Sequence, residues 1–286
     1  MENYSSPLQK YKRQPKLYID LPSKGIWYPK DSLEKSEELE VYSMTANDEI
    51  NIKTPDALFT GTAVKNLIES CVPSIKDAWY VPSVDLDYIL AAIRLATYGT
   101  SIELTTTCRE CSNQDTYALP LQGILDHFQS AKTSFQAEVD KFVFKIRPLC
   151  YKEVTDYQIE AFKVRRTIQQ KLSQIEDTVE KENELRVLYE GLREKQKETV
   201  CSSIIEIVTP DGETETNQPF IKDFIINGDK IYFNALEKLY EDNQKALRIP
   251  QTTTSCSECN TEQAVQPDLD YSNFFGARSL NSRNLI

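Results

Sequence analysis

Apolar positions recur along this chain at two spacings. Leu86, Ile89, Leu90, Ile93 and Ala96 fall three and four residues apart, the period of one helix face, and Gly99 follows as a stop. With Asp85 as its cap, this stretch predicts a helix that runs into the strand Ser101-Ile102-Glu103-Leu104-Thr105. Ahead of it, Pro55 and Asp56 open one helical piece carrying Leu58, Val64, Leu67 and Ile68, ended by Pro73. Thr45 with Asp48 three residues on has the form of a capping box for a short helix.

Other stretches alternate. Leu17 to Leu21, Leu39 to Met44, Phe142 to Ile146 and Ile204 to Val208 read as strands, and Thr209-Pro210-Asp211-Gly212 as a turn between strands. Gly123 to Ser130 is weakly helical. From Tyr151 to Ser203 there is one Gly and no Pro, and Tyr157, Ala161, Val164, Ile168, Leu172, Ile175, Val179, Leu185, Leu188 and Leu192 keep helical spacing. Asp177 with Glu180 restarts a helix, so two antiparallel helices are predicted there. Asn217 caps a helix that Gly228 stops, and Asp229 caps the last one, with Ile231, Leu236, Leu239 and Tyr240 inward. A hairpin on Asn227-Gly228 is the alternative for Phe224 to Phe233.

The 286 residues include 8 Gly and 13 Pro with 40% hydrophobic content, the composition of ordinary folded cores. The net charge of −11 repels phosphate backbones, so nucleic-acid binding would need a local basic patch. Lys10, Lys12, Arg13 and Lys16 form a basic cluster, read as a solvated tail. No apolar run approaches the roughly 18 residues of a membrane span, and the N-terminus lacks a hydrophobic signal core.

Cysteines change the picture most. Four of the seven form two Cys-x-x-Cys pairs, Cys108 with Cys111 and Cys256 with Cys259. Each pair follows a threonine-rich run and precedes a short polar turn and an apolar stretch, so one small unit is written twice, 148 residues apart (256 − 108). Two such turns facing each other supply a tetrahedral four-thiolate shell for structural Zn2+, with no open position for water. Cys71, Cys150 and Cys201 stand among apolar neighbours as small hydrophobes. The single histidine, His127, reads as a packed or surface residue, and the carboxylate pairs Asp85/Asp87 and Asp268/Asp270 as caps or turns. With no nucleophile elbow, P-loop or dinucleotide fingerprint, no catalytic or cofactor-binding residue is predicted.

The predicted fold is therefore α+β and mostly helical, with a discontinuous zinc ribbon built from two Cys knuckles and a central helical hairpin. The expected parts are a flexible arm (1–16), an N-terminal α+β part with the first knuckle (17–150), the hairpin (151–203), and a part with a β-turn, C-terminal helices, the second knuckle and an aromatic tail (204–286).

Four segments in order carry a family resemblance. They are Leu21-Pro22-Ser23-Lys24-Gly25-Ile26-Trp27-Tyr28-Pro29, Tyr42-Ser43-Met44-Thr45-Ala46-Asn47-Asp48-Glu49, Leu95-Ala96-Thr97-Tyr98-Gly99, and Asp270-Tyr271-Ser272-Asn273-Phe274-Phe275. Arg147-Pro148-Leu149-Cys150-Tyr151-Lys152-Glu153-Val154 fits the middle. From about residue 17 to 276, the chain resembles the baseplate hub and tail-assembly proteins of T-even-type contractile-tailed bacteriophages. The resemblance implies a non-enzymatic hub subunit or assembly factor. Its expected partners are other tail proteins, the baseplate hub and the tape measure. Its expected location is the host cytoplasm during assembly, and the tail baseplate if it stays in the particle. Some relatives lack the cysteine pairs, so the metal expectation rests on this chain's own spacing. The alternative is a zinc-ribbon nucleic-acid-binding or transcription accessory protein, which the charge disfavours. Two surfaces stay open in the sequence. The hairpin packs on its own domain or grips a helical partner, and Phe274-Phe275 is either a docking peptide or a plug in its own core.

Overall fold

The computed structural model describes residues 8, 12–34, 36–172, 178–265, 267, 274–275 and 280–281, with backbone alone at 171–172, 178–182, 184 and 280–281. Lys10, Ile175, Asp177 and the tail from Asp268 to Asn273 lie outside what is described, as do the side chains of Val179 and Glu180 and with them the capping box of Asp177 and Glu180. The chain forms two compact units. One comprises residues 1–78, 85–130 and 249–286, the other 79–84 and 131–248.

In the first unit, β1 (Leu17–Ile19) pairs antiparallel with β2 (Leu39–Val41). Leu39 and Val41 are buried while Glu40 between them is exposed, the alternation of a half-buried strand. Helix α1 (Ala46–Ile52) starts on the predicted capping box: Thr45 Oγ1 accepts from Asp48 N at 3.2 Å and Asp48 Oδ2 accepts from Thr45 N at 2.7 Å. The single helical piece expected from Pro55 is two helices, α2 (Pro55–Phe59) and α3 (Thr62–Cys71). Gly61 breaks it, with a φ of +77° that right-handed helix cannot accommodate. Val64, Leu67, Ile68 and Cys71 line the buried face of α3, and burial pushes the Cys71 thiol up to about 12.

Arg13, from the cluster read as a solvated tail, is engaged by the protein itself. It donates to Ser43 O at 2.7 Å and Ser70 Oγ at 3.1 Å, sits 3.9 Å from Asp48, and lies over the Tyr42 ring.

Helix α4 (Ser83–Tyr98) buries Ile89, Leu90 and Ile93 as expected. Its start is different. The helix begins two residues before Asp85, so Asp85 lies in the first turn, fully buried, instead of serving as the N-cap. Its carboxylate accepts from Ser23 N at 2.8 Å and from the Ser23 hydroxyl, tying the 21–29 loop to the helix. Burial pushes the Asp85 carboxyl up to about 6 against these hydrogen bonds, and burial together with the Asp85 charge holds Tyr28 well above its ordinary value.

After α4, β3 (Ser101–Thr107) and β4 (Gln114–Pro120) form a hairpin, and β11 (Leu280–Asn281) lies parallel to β3. Helix α5 (Leu121–Ser130) buries Leu121, Ile124, Leu125 and Phe128. His127, half-buried on the same helix, packs against Phe128 with ring centroids 5.7 Å apart. The hairpin of β9 (Thr252–Ser255) and β10 (Glu262–Val265) completes the described strands of this unit. Phe274 and Phe275 are buried plugs, as own-core packing requires. Arg94 donates to Phe274 O and lies over its ring at 5.3 Å, while Tyr98 Oη donates to Phe275 O at 2.9 Å.

The second unit is built on a four-stranded antiparallel sheet, β5 (Gln136–Val139), β6 (Phe142–Ile146), β7 (Ile204–Val208) and β8 (Thr214–Glu215), in that order. Between β6 and β7 the chain makes the helical hairpin α6 (Tyr151–Leu172) and α7 (Thr178–Ser203). Arg147 holds its base together. Its guanidinium makes two bonds to Glu153, 2.6 and 2.8 Å, and its backbone N–H donates to Ser203 O at 2.9 Å.

Helices α8 (Gln218–Asn227) and α9 (Lys230–Leu247) follow, not a hairpin on Asn227-Gly228. A Cβ at Gly228 would meet Phe224 O at 2.2 Å, so only glycine fits this turn between helices. Asp229 caps α9 as predicted, whereas Ile231 is exposed and not inward, because the face packed on the core is that of Tyr232, Phe233, Leu236, Leu239 and Tyr240, and Ile231 lies on the other side of the helix. Asn217 stands at the N-cap position of α8, but its side chain makes no bond to the helix. Phe144, Ile146, Val200, Ile204, Ile207, Ile221, Ile225 and Leu236 form one core. Buried Asn243 closes it at β5 by accepting from Ser134 N at 2.8 Å and donating to Ser134 O at 2.7 Å. Among the described residues, no helix is long and apolar enough to cross a membrane.

Candidate metal centre

The β3–β4 and β9–β10 hairpins each end in the same knuckle. In the first, Cys108 N donates to Asn113 O at 2.8 Å and Ser112 N to Cys108 O at 3.0 Å. In the second, Cys256 N donates to Thr261 O at 3.0 Å and Asn260 N to Cys256 O at 3.0 Å. The residue after each second cysteine, Ser112 or Asn260, takes a left-handed φ of 60° or 54°. That residue turns the chain back, and the two sulfurs of each pair then face one side of the loop. The repeat seen in the sequence is thus a repeat of backbone geometry.

The two knuckles face each other. The four Sγ atoms all lie within 4.8 Å of one another, with Cys108 to Cys259 at 3.6 Å and Cys111 to Cys256 at 3.5 Å. A tetrahedral ion with bonds of about 2.3 Å holds its sulfurs about 3.8 Å apart. The spacing suits such an ion and is far longer than the roughly 2.05 Å of a disulfide. Cys108 and Cys256 are buried, whereas Cys111 and Cys259 are exposed, so a bound ion would sit at the surface with one lip open.

The electrostatics favour a cation. The Thr261 hydroxyl and backbone N–H pull the Cys259 thiol down to about 6. The Asn113 backbone N–H also lowers Cys111, but the neighbouring sulfurs, Cys259 foremost, push it up to about 12. Thiols this close resist ionising together unless a positive charge stands between them, and a divalent ion supplies it. Four sulfur donors of this spacing could hold a soft or borderline metal and leave it no vacant position for substrate.

The residues that join the knuckles were not singled out from the sequence. Asp115 Oδ2 accepts from Ser257 N at 3.1 Å, and the Ser257 hydroxyl donates to Asp115 Oδ1. Asn113 Nδ2 donates to Ser257 Oγ and to Asp115 Oδ1, each at 3.1 Å, and lies 3.9 Å from Cys256 Sγ. Tyr117 Oη donates to Ser255 O at 2.8 Å, and Gln263 Nε2 to Thr106 Oγ1 at 3.1 Å. The Ser257 hydroxyl and N–H hold the Asp115 carboxyl below its usual range. The one signal available was position, since Asn113 and Asp115 follow the first pair directly.

The chain matches a family model described as T4 bacteriophage base plate protein over residues 20–276. No curated protein and no solved structure gives a significant match.

Proposed function

This chain belongs to the T4 bacteriophage base plate protein family, and from that premise we propose that it is a non-enzymatic tail-assembly protein. In this reading it is a baseplate hub subunit, or a factor that assembles the hub with the tape measure, and it acts by protein–protein binding. The observation that carries the reading is the extent of the match. Residues 20–276 take in both knuckles, both buried phenylalanines and all of the sheet–helix unit, so the family likeness is not confined to one module.

Cys108, Cys111, Cys256 and Cys259 would hold Zn2+ as a structural ion, stapling the two hairpins without activating water. Exposed apolar side chains offer contact surface for partners: Phe220 on α8 is 63% exposed, and Val187 and Tyr189 on α7 are 62% and 52% exposed. This surface supports binding by shape and apolar burial.

The test is recovery of partners. Tagged protein is drawn from infected-cell extract before particles mature, and the co-purifying proteins are identified. Hub or tape-measure proteins are the expected catch, and they should survive moderate salt. Recovery of polymerase or DNA, lost steeply as salt rises, would instead favour a nucleic-acid-binding zinc ribbon.

A further inference from the structure

The two hairpins can be superposed by position. Counting from each first cysteine, Asn113 corresponds to Thr261 and Asp115 to Gln263. In both hairpins the residue four places beyond the second cysteine leaves its own hairpin and bonds to the other. Asp115 takes the N–H and hydroxyl of Ser257, and Gln263 donates to Thr106 Oγ1, buried at 2% exposure. The joint is thus made of reciprocal polar crossings beside the sulfurs, and none of these bonds passes through a metal.

Asn113 is where the joint meets the site. Its amide nitrogen has two hydrogens and three acceptors in reach: Asp115 Oδ1, Ser257 Oγ and the sulfur of Cys256. It therefore stands between a carboxylate and a cysteine sulfur on the facing knuckle. A neutral donor in that place bonds a carboxylate on one side and reaches a cysteine sulfur on the other, which restrains the rotamers of both. Many small zinc modules have no folded state without metal, because nothing else holds the ligands together. Here the ligands have other restraints.

We propose that Asn113, Asp115 and Ser257 form a latch that sets the four sulfurs in place before the ion arrives, making the three positioning residues of a preorganised metal site. The inference rests on the metal-binding reading above and adds an order of events. The hairpins close through the latch, and the ion then enters through the open lip at Cys111 and Cys259. Binding to a preorganised site avoids the ordering cost at the moment of capture. Loss of the latch returns that cost to the metal.

The experiment uses the full chain, stripped of metal under reducing conditions and titrated with Co2+ alone and then with Zn2+ against a chromophoric chelator. For the wild type, far-UV circular dichroism should be nearly the same with and without metal, and the Co2+ complex should give the intense visible bands of tetrahedral thiolate ligation. Asp115→Ala, Asn113→Leu and Ser257→Ala should each weaken Zn2+ affinity and hasten its release to chelator by about 10- to 100-fold. Ser257→Thr, which keeps the hydroxyl, should restore most of the loss. A residue that only supported the fold would change thermal stability without moving the Co2+ spectrum or the release rate.

Each failure has its own meaning. A wild-type chain that takes up neither Co2+ nor Zn2+ sinks the metal-binding reading itself. A wild type that binds tightly, with variants that bind and release like it, overturns the latch alone. So does a metal-free protein that loses a large part of its circular dichroism.

Discussion

Asp85 shows how one side chain can carry a loop. It is fully buried, and its acceptors hold Ser23 at the start of the 21–29 segment. A carboxyl pushed up to about 6 by burial is protonated more readily in the folded chain than in the unfolded one, where about 3.9 is usual. The sign follows by linkage: this group's contribution is fully present below the unfolded value and is lost as pH rises through about 6. Asp85→Asn keeps an acceptor and removes the titration. Thermal melts of variant and wild type should therefore diverge between pH 4 and 7. The variant gains on the wild type as pH rises, by on the order of 1–3 kcal/mol. Parallel curves across that range would mean that the carboxyl titrates in the folded chain as it does in the unfolded one.

Elements in this protein were legible where a local side-chain bond or a simple period governs them. Thr45 and Asp48 cap α1 as the sequence indicates, and the hydrophobic spacing between Tyr151 and Ser203 resolves into α6 and α7. The knuckles were equally readable, because cysteine spacing and the threonine runs repeat. What escaped was set by packing or by unmarked backbone. β5 meets β6 through Asp140 and Lys141, both at positive φ, with no glycine or proline to announce a turn. Asp85 looked like a cap because capping residues are polar, and only burial reveals its other role. Ile231 lies five residues before Leu236, on the opposite side of α9 from the face that Tyr232, Phe233 and Leu236 turn to the core.

At the same scale, the hairpin of α6 and α7 depends on its base. Arg147 bonds Glu153 at the start of α6 and its backbone N–H donates to Ser203 O at the end of α7, with both charged side chains mostly covered. Burial raises the Glu153 carboxyl, but Arg147 and the Cys150 N–H outweigh it and keep it below its ordinary value. Arg147→Ala should therefore lower the stability of this unit by about 1–3 kcal/mol, read as a lower urea midpoint at an unchanged slope. A depressed carboxylate adds stability above its unfolded value and loses it as pH falls, so the gap between variant and wild type should narrow below about pH 4. Equal midpoints at neutral pH would remove Arg147 as the fastening.

For the molecule as a whole, all four sulfurs belong to one of the two compact units. A ligand that binds only the folded state of one unit stabilises that unit alone. Calorimetry of the metal-loaded chain should show two transitions, and a chelator should lower one and leave the other in place. Cys256→Ser should shift the same transition. A single transition that moves as one would mean that the two units melt as a cooperative whole.

The position of the second unit within the chain has a consequence for how the protein is made. Residues 131–248 are synthesised between the two knuckles, separating Cys111 from Cys256 by 145 positions (256 − 111). At about 5–20 residues per second a ribosome needs roughly 7–30 seconds to cover that distance. The sheet of β5 to β8 can mature during this interval, while Cys108 and Cys111 wait as reduced thiols for a partner not yet translated. The later-born hairpin thus completes the earlier unit, and the nascent chain has to keep the first pair from oxidation or premature capture until it emerges.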